Sequence, residues 1–257
     1  MRGVRSCILK TGMVDMIEKK NDNIEVCLGE GFADVLVDGN KVGTISFKSN
    51  PLHNEHCYLD LQFESFEGID AIDLFEKLKM KIDKPLQVMI SSEERKTVSF
   101  LKKAGFVCKR KCYEIEAQKK DYIGTEKQDN LFVAQKGESI YEKGCDMMLD
   151  RYISTHNAVS PWTGTEEDFY SNLPDTVIYD LQDGGVDNFA FVEGEEIAYV
   201  CGGSVKAFHA FAEVLLSKMF KEHETVTFEA DDCDEHAMVL KSLFINQPNE
   251  SFDTYIL

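Results

Sequence analysis

This chain of 257 residues has a single tryptophan, five prolines and no long apolar run. A helix that crosses a bilayer needs about 18 or more consecutive apolar residues. No stretch here approaches that length, so no helical membrane span and no membrane partner is expected. The opening MRGVRSCILKTGMVDMIEKK carries basic residues without the continuous apolar core of a secretory leader, and the expected location is cytoplasmic. Paired cysteine spacing is also missing. The eight cysteines, Cys7, Cys27, Cys57, Cys108, Cys112, Cys145, Cys201 and Cys233, are scattered, with no CxxC among them. Most stand in apolar, strand-like surroundings, where a free thiol behaves as a small hydrophobe. Disulfides, structural zinc and dithiol redox chemistry are therefore not expected. The last shortage is of basic residues: 28 Lys and Arg face 46 Asp and Glu, a formal charge of −18. A field of that sign repels phosphate backbones and argues against nucleic-acid binding. It serves solubility, and it also favours a cationic small molecule such as an amine.

What is present is a clear alternation of strands and helices in a chain long enough for one large domain or two small ones. Alternating apolar residues flank Asp38-Gly39-Asn40 in FADVLVDGNKVGTISFKSN, the signature of a tight hairpin. Residues 56 to 63 read as another strand. Ala71, Leu74, Phe75, Leu78 and Ile82 then recur at helical spacing, and Pro85 closes that helix. Leu86 to Ile90 alternates as a strand. Ser91-Ser92 is expected to cap a following helix with Glu93 and Glu94 in its first turn, Val98 and Leu101 on its buried face and Gly105 as its stop. A further strand follows Phe106. Before these elements, Met13 to Lys20 suggests a short helix and Ile24 to Leu28 a strand.

A polar stretch, AQKKDYIGTEKQDN, separates this part from a second series. Helices are expected at 141–153 and 166–170, with the loop STHNAVSPWTGT between them. Strands are expected at 177–181, 188–192 and 197–201, then a helix at 206–222, a strand at 225–230, a helix at 235–244 and a last strand in SFDTYIL. Both series suit a mixed sheet with helices on its faces.

The unit centred on FLKKAGFVCKRKCYEI resembles the second half of the GNAT acetyltransferase fold, where a helix ending in a tyrosine-x-x-x-glycine-phenylalanine phrase leads into a strand. Leu101 stands where that tyrosine would be. FVEGEEIAYVCGG and VTFEADDCDEHAMVLKSLF are similar to the hairpin and strand-helix of a second copy. The resemblance implies an α/β fold, a mixed sheet in two GNAT-like halves, residues 1–120 and 121–257. It further implies an N-acetyltransferase that moves an acetyl group from acetyl-CoA to a primary amine by direct attack, without a metal. The alternative is a GNAT-like chain that has lost catalysis and serves as a binding or interaction protein.

Such chemistry needs free backbone amides at a helix start, lined by small residues, to hold the cofactor pyrophosphate. It needs a base for the amine and an acid for the leaving thiolate. Aligned on the family's phosphate loop, the first half offers Gly68 and Ala71, with the family's arginine absent and Glu67 and Asp70 alongside. The second half offers Ala210 and Ala212 as the small positions, with Phe211 between them, Lys206 and His209 as positive charge, and the family's arginine or glutamine again absent. Candidate acid-base groups are Glu229, Tyr255, Glu64 and Tyr113, with Asp231 beside Glu229. A strand-end carboxylate is ordinarily just solvated, and an apolar-flanked tyrosine ordinarily packs. His53-x-x-His56-Cys57 has no second ligand pair at zinc spacing. Asp231 to Glu235 reads as acidic residues opening a helix rather than a calcium loop. Trp162 in SPWTG either contacts substrate or plugs a loop.

Overall fold

The computed structural model describes residues 24–182 and 185–257; the expected helix at Met13 to Lys20 and Cys7 lie outside them. Strands β1 (Ile24–Leu28), β2 (Phe32–Val37), β3 (Asn40–Lys48) and β4 (Cys57–Phe63) form an antiparallel meander. Asp38 and Gly39 have φ of 50° and 78°, the left-handed pair that a tight hairpin demands and that Asp-Gly supplies cheaply. Helix α1 (Ala71–Lys79) crosses to β5 (Leu86–Ser91), which runs parallel to β4. Helix α2 (Arg95–Lys103) leads to the long strand β6 (Val107–Gln118).

The second series repeats this order. Strand β7 (Phe132–Gln135) is followed by α3 (Ser139–His156) and α4 (Glu166–Tyr170). Strands β8 (Thr176–Gln182), β9 (Gly185–Glu193) and β10 (Glu196–Gly202) complete a second meander. Helix α5 (Val205–Glu222) crosses to β11 (Thr225–Asp231), parallel to β10, and α6 (Glu235–Ser242) leads to β12 (Phe252–Ile256).

The described strands form one mixed sheet in the order β1-β2-β3-β4-β5-β12-β6-β11-β10-β9-β8-β7. The order reads the same from either end once each strand is exchanged for its counterpart in the other half. The halves do not merely abut. The last strand of the first half, β6, pairs with β11 of the second, and the last strand of the second, β12, pairs with β5 of the first. Those two exchanged strands then pair with each other at the centre. With a division near residue 120, each half's final strand therefore lies in the other half's part of the sheet.

Helix α1 buries Ala71, Leu74, Phe75 and Leu78 against β1 and the first-half core, as its spacing requires. Helix α5 buries Phe208, Phe211, Ala212, Leu215, Leu216 and Phe220 on one face of the second half. Helix α3 covers the opposite face, over Phe189, Phe191 and Cys201. The described cysteines are free thiols. No helix among the described residues is long and apolar enough to cross a membrane.

One local expectation is corrected. Helix α2 begins at Arg95, not after Ser92: Ser91 Oγ accepts from the Glu93 amide at 3.2 Å and so closes a turn ahead of the helix. Strand β7 gave no clear signal, because it has four residues and buries only Ala134 of them. Gly105 ends α2 at φ 95°, as expected.

The exchange makes a cooperative prediction. Urea unfolding followed by the fluorescence of Trp162 and by far-UV circular dichroism should give coincident transitions. Separated midpoints would show that the halves hold themselves together independently.

Candidate functional site

Parallel strands β10 and β11 are in register only at Glu196 and Thr227, the start of β10. Beyond that point they diverge, and a cleft of about 360 Å³ opens between them on the α3 side of the sheet. Period-2 alternation along β11 sends Val226, Phe228 and Ala230 into the α5 core. Glu229 and Asp231 therefore face the cleft. On β6, Ile115 and Ala117 go to the core and Arg110, Cys112 and Glu114 line the cleft. Tyr199 of β10, Tyr152 and His156 of α3, and Asp234 at the start of α6 complete the polar lining.

Asp231 is the hub of this lining. Its Oδ2 accepts from Arg110 Nη1 at 3.2 Å and from His156 Nε2 at 3.0 Å. Burial pushes the Asp231 carboxyl up, but the hydrogen bond from His156 and the charge of Arg110 outweigh it, and the group lies below the ordinary aspartate value. Arg110 also reaches Thr254 of β12 at 3.4 Å. The ring of Tyr152 stacks on His156 with centroids 4.0 Å apart. Burial, as the largest cause, raises the Tyr152 phenol. Arg151 donates to Asp234 Oδ1 at 2.6 Å, and the same oxygen caps α6 by accepting from the His236 amide at 2.9 Å.

Glu229 differs from these paired groups. Its nearest polar partner among the described contacts is the Cys112 thiol, at 3.7 Å. In the antiparallel ladder it stands directly opposite Glu114, a like-charge juxtaposition. Desolvation in the cleft raises the Glu229 carboxyl, and Asp231 and Glu114 raise it further. It is nonetheless open to solvent at the cleft mouth. A carboxylate that is reachable, weakly partnered and raised suits proton transfer.

The other expected residues fall elsewhere. Tyr255 is 1% exposed in the first-half core, with its hydroxyl on Asp253 Oδ2 at 3.3 Å. Burial, then Asp253, pushes it up to about 12. It is a packing residue away from the cleft. Tyr113 points to the α5 side, under Lys241 Nζ at 4.3 Å from its ring centre. Glu64 lines a separate first-half cleft with Gly68's neighbours Glu67, Asp70 and Ala71. Helix α5 starts at Val205, capped by Ser204 Oγ on the Ala207 amide at 3.2 Å, so Lys206 lies in its first turn. His209 and Ala210 lie further along its exposed face, while Phe211 and Ala212, 2% and 0% exposed, belong to the core. The expected small positions Ala210 and Ala212 therefore lie beyond the helix start. The Gly202-Gly203-Ser204 turn is the segment that opens it.

The first-half cleft, about 950 Å³, is chemically different. At the start of α1, Asp70 Oδ1 accepts from the amides of Ile72 (3.0 Å) and Asp73 (3.4 Å), so a fixed carboxylate already occupies the anion position. Ala71 is buried, and Gly68, at φ 77°, serves the turn before it. Phe66 stacks on Phe100 with centroids 4.3 Å apart, and Phe63 packs beside both, so aromatic rings form one wall of this cleft. Trp162 and His53, ambiguous in sequence, meet edge-on at 5.3 Å between the halves. His56 turns away to Gln87 Oε1 at 2.7 Å. The network around Tyr152, His156 and Arg110 was missed, because nothing in local spacing links α3, β6 and β11.

No family model and no curated protein matches the chain. Among solved structures, a GCN5-related N-acetyltransferase from Sphaerobacter thermophilus is similar at 9% identity and TM-score 0.47, over 90% of this chain and 81% of its own. A GCN5-related N-acetyltransferase from Kribbella flavida is similar at 10% identity and TM-score 0.47, over 91% and 89%. A tandem GNAT protein from the clavulanic acid biosynthesis pathway is similar at 10% identity and TM-score 0.42, over 88% and 82%.

The Asp231 hub carries a stability prediction. Asp231→Asn should cost about 3 kcal/mol, because it leaves Arg110 without its charge partner, and urea denaturation at neutral pH measures it. The Asp231 value is depressed in the fold, so its contribution is present above the unfolded carboxylate value and lost as pH falls through the folded one. The variant should lack that acid-side loss.

Proposed function

We propose that this chain is an acyl-CoA-dependent N-acyltransferase of the GNAT type, with acetyl-CoA as donor, a primary amine as acceptor and the second half as the working site. The observation that carries the reading is Glu229, a raised and solvent-reached carboxylate in the gap where β10 and β11 diverge. Acetyl-CoA would supply an activated thioester. Its pantetheine arm fits between two strands whose edges are unpaired, and its pyrophosphate fits the start of α5. There the cap is the neutral Ser204 hydroxyl with Lys206 exposed beside it, whereas Asp70 and the Phe66–Phe100 stack oppose the same ligand at α1.

In this reading Glu229 accepts a proton from the attacking ammonium or amine, and Glu114 across the ladder adds negative charge that draws the cationic acceptor into the cleft. Arg110 and His156 hold Asp231 ionised, which keeps Glu229 raised. A second reading, a chain that binds without catalysis, draws on one feature: Asp187 packs against Gly203, its Oδ1 2.4 Å from where a Cβ would stand. That sets a carboxylate beside the helix start.

Glu229→Gln should lower kcat by about 100-fold or more, with acetyl-CoA affinity by calorimetry unchanged. In the parent protein, kcat/KM should rise with pH through the raised Glu229 value, and that limb should vanish in the variant. Unchanged turnover in Glu229→Gln would remove the residue from the mechanism.

Ser204→Asp keeps the cap hydrogen bond but places a charge at the helix start. It should weaken acetyl-CoA binding by about tenfold or more, since a charge at this position is worth about 1–2 kcal/mol. Equal affinity would send the pyrophosphate elsewhere, and no binding of acetyl-CoA to the parent protein would favour the non-catalytic reading.

A further inference from the structure

The loop joining β3 and β4 in the first half, residues 49–56, is strapped to the loop following α3 in the second. Thr163 N donates to Leu52 O at 2.8 Å, Asn54 N donates to Thr163 Oγ1 at 3.0 Å, and Thr163 Oγ1 donates to Pro51 O at 3.2 Å. Tyr58 and Ser160 share a hydrogen bond of 2.7 Å beside them. These contacts deliver His53 to the rim of the second-half cleft.

The ring of His53 is held at both nitrogens. Its Nδ1 faces the carbonyl oxygens of Ser160 at 2.9 Å and Pro161 at 3.1 Å. A carbonyl only accepts, so Nδ1 carries the proton, and in the neutral ring Nε2 is an acceptor. Burial lowers the His53 value and so favours that neutral form. Tyr152 Oη lies 3.1 Å from Nε2 and donates to it. The same Tyr152 lines the cleft and lies flat on His156, 11° from parallel, and His156 donates to Asp231. One chain of contacts thus runs from a first-half loop to the carboxylate beside Glu229.

We infer that His53 is a positioning residue for the second-half cleft: it fixes the Tyr152 phenol, and through the Tyr152–His156 stack it holds the His156–Asp231 pair in place. The first half therefore supplies a structural part of its neighbour's site. The kinetic consequence rests on the acyl-transfer reading above; the structural coupling does not.

The test uses His53→Ala, His53→Gln, Tyr152→Phe and the double variant His53→Ala/Tyr152→Phe in the full chain, each checked for folding by circular dichroism and thermal melting. His53→Ala should lower kcat for the amine about tenfold with the acetyl-CoA Kd unchanged. His53→Gln, whose amide keeps a donor and an acceptor, should recover most of the loss. The double variant should lose no more than the worse single variant, as expected of residues acting as one unit. Losses that multiply, or an unaffected His53→Ala, would overturn the inference. Should the parent protein turn over no amine, the acyl-transfer reading fails by itself, and histidine-selective NMR decides the coupling. The His156 ring signals should then move in His53→Ala and in Tyr152→Phe, and stay near their parent positions in His53→Gln. Unmoved His156 signals in both would overturn it. If His53→Ala does not fold, Tyr152→Phe and His53→Gln decide the coupling by the same criteria.

Discussion

The antiparallel pairing of β6 with β12 is the constraint from which the rest of the molecule follows. Cys112 stands opposite Phe252, and Arg110 opposite Thr254, so the two exchanged strands lock the halves in one register. On its other edge β6 pairs with β11, setting Cys112 opposite Asp231 and Glu114 opposite Glu229. A slip of one residue would turn every cleft-facing side chain toward the α5 core. The hydrophobic alternation that buries Ile115 and Ala117 therefore also fixes which carboxylates meet which guanidinium.

Much of the architecture is legible in local sequence, because local physics decides it. Asp38-Gly39 fixes a hairpin, Gly105 a helix end, and the spacing of Leu74, Phe75 and Leu78 a buried helical face. Glu229 could be named because alternation along VTFEAD places it opposite a buried Val226 and Phe228. What local patterns do not carry is long-range pairing. Nothing near residue 110 says that it will meet residue 231, and nothing near Tyr255 says that its strand joins the other half's sheet and buries its phenol. The start of α5 was hidden for a related reason. Small residues recur at Ala207, Ala210 and Ala212, and composition alone does not show which of them opens the helix; the cap at Ser204 does.

The two halves share an order of elements and differ in what they do with the gap between their parallel strands. In the first, the stacked rings of Phe66 and Phe100 line a cleft of about 950 Å³, and a carboxylate caps the helix beside it. In the second, the gap is left open and lined with titratable groups whose charges are largely paired with one another, Asp231 with Arg110 and His156, Asp234 with Arg151. The open second-half cleft costs contacts that the ion pairs around it only partly offset.

The exchange also sets an order of events at the ribosome. Strand β5 cannot gain its second neighbour until residues 252–256 have been made, since Ser91 pairs with Phe252. At a synthesis rate of about 5–20 residues per second, the edge of β5 waits for roughly ten to thirty seconds. Through that interval the nascent first half presents an unpaired strand edge, a template that a neighbouring chain on the same message could capture.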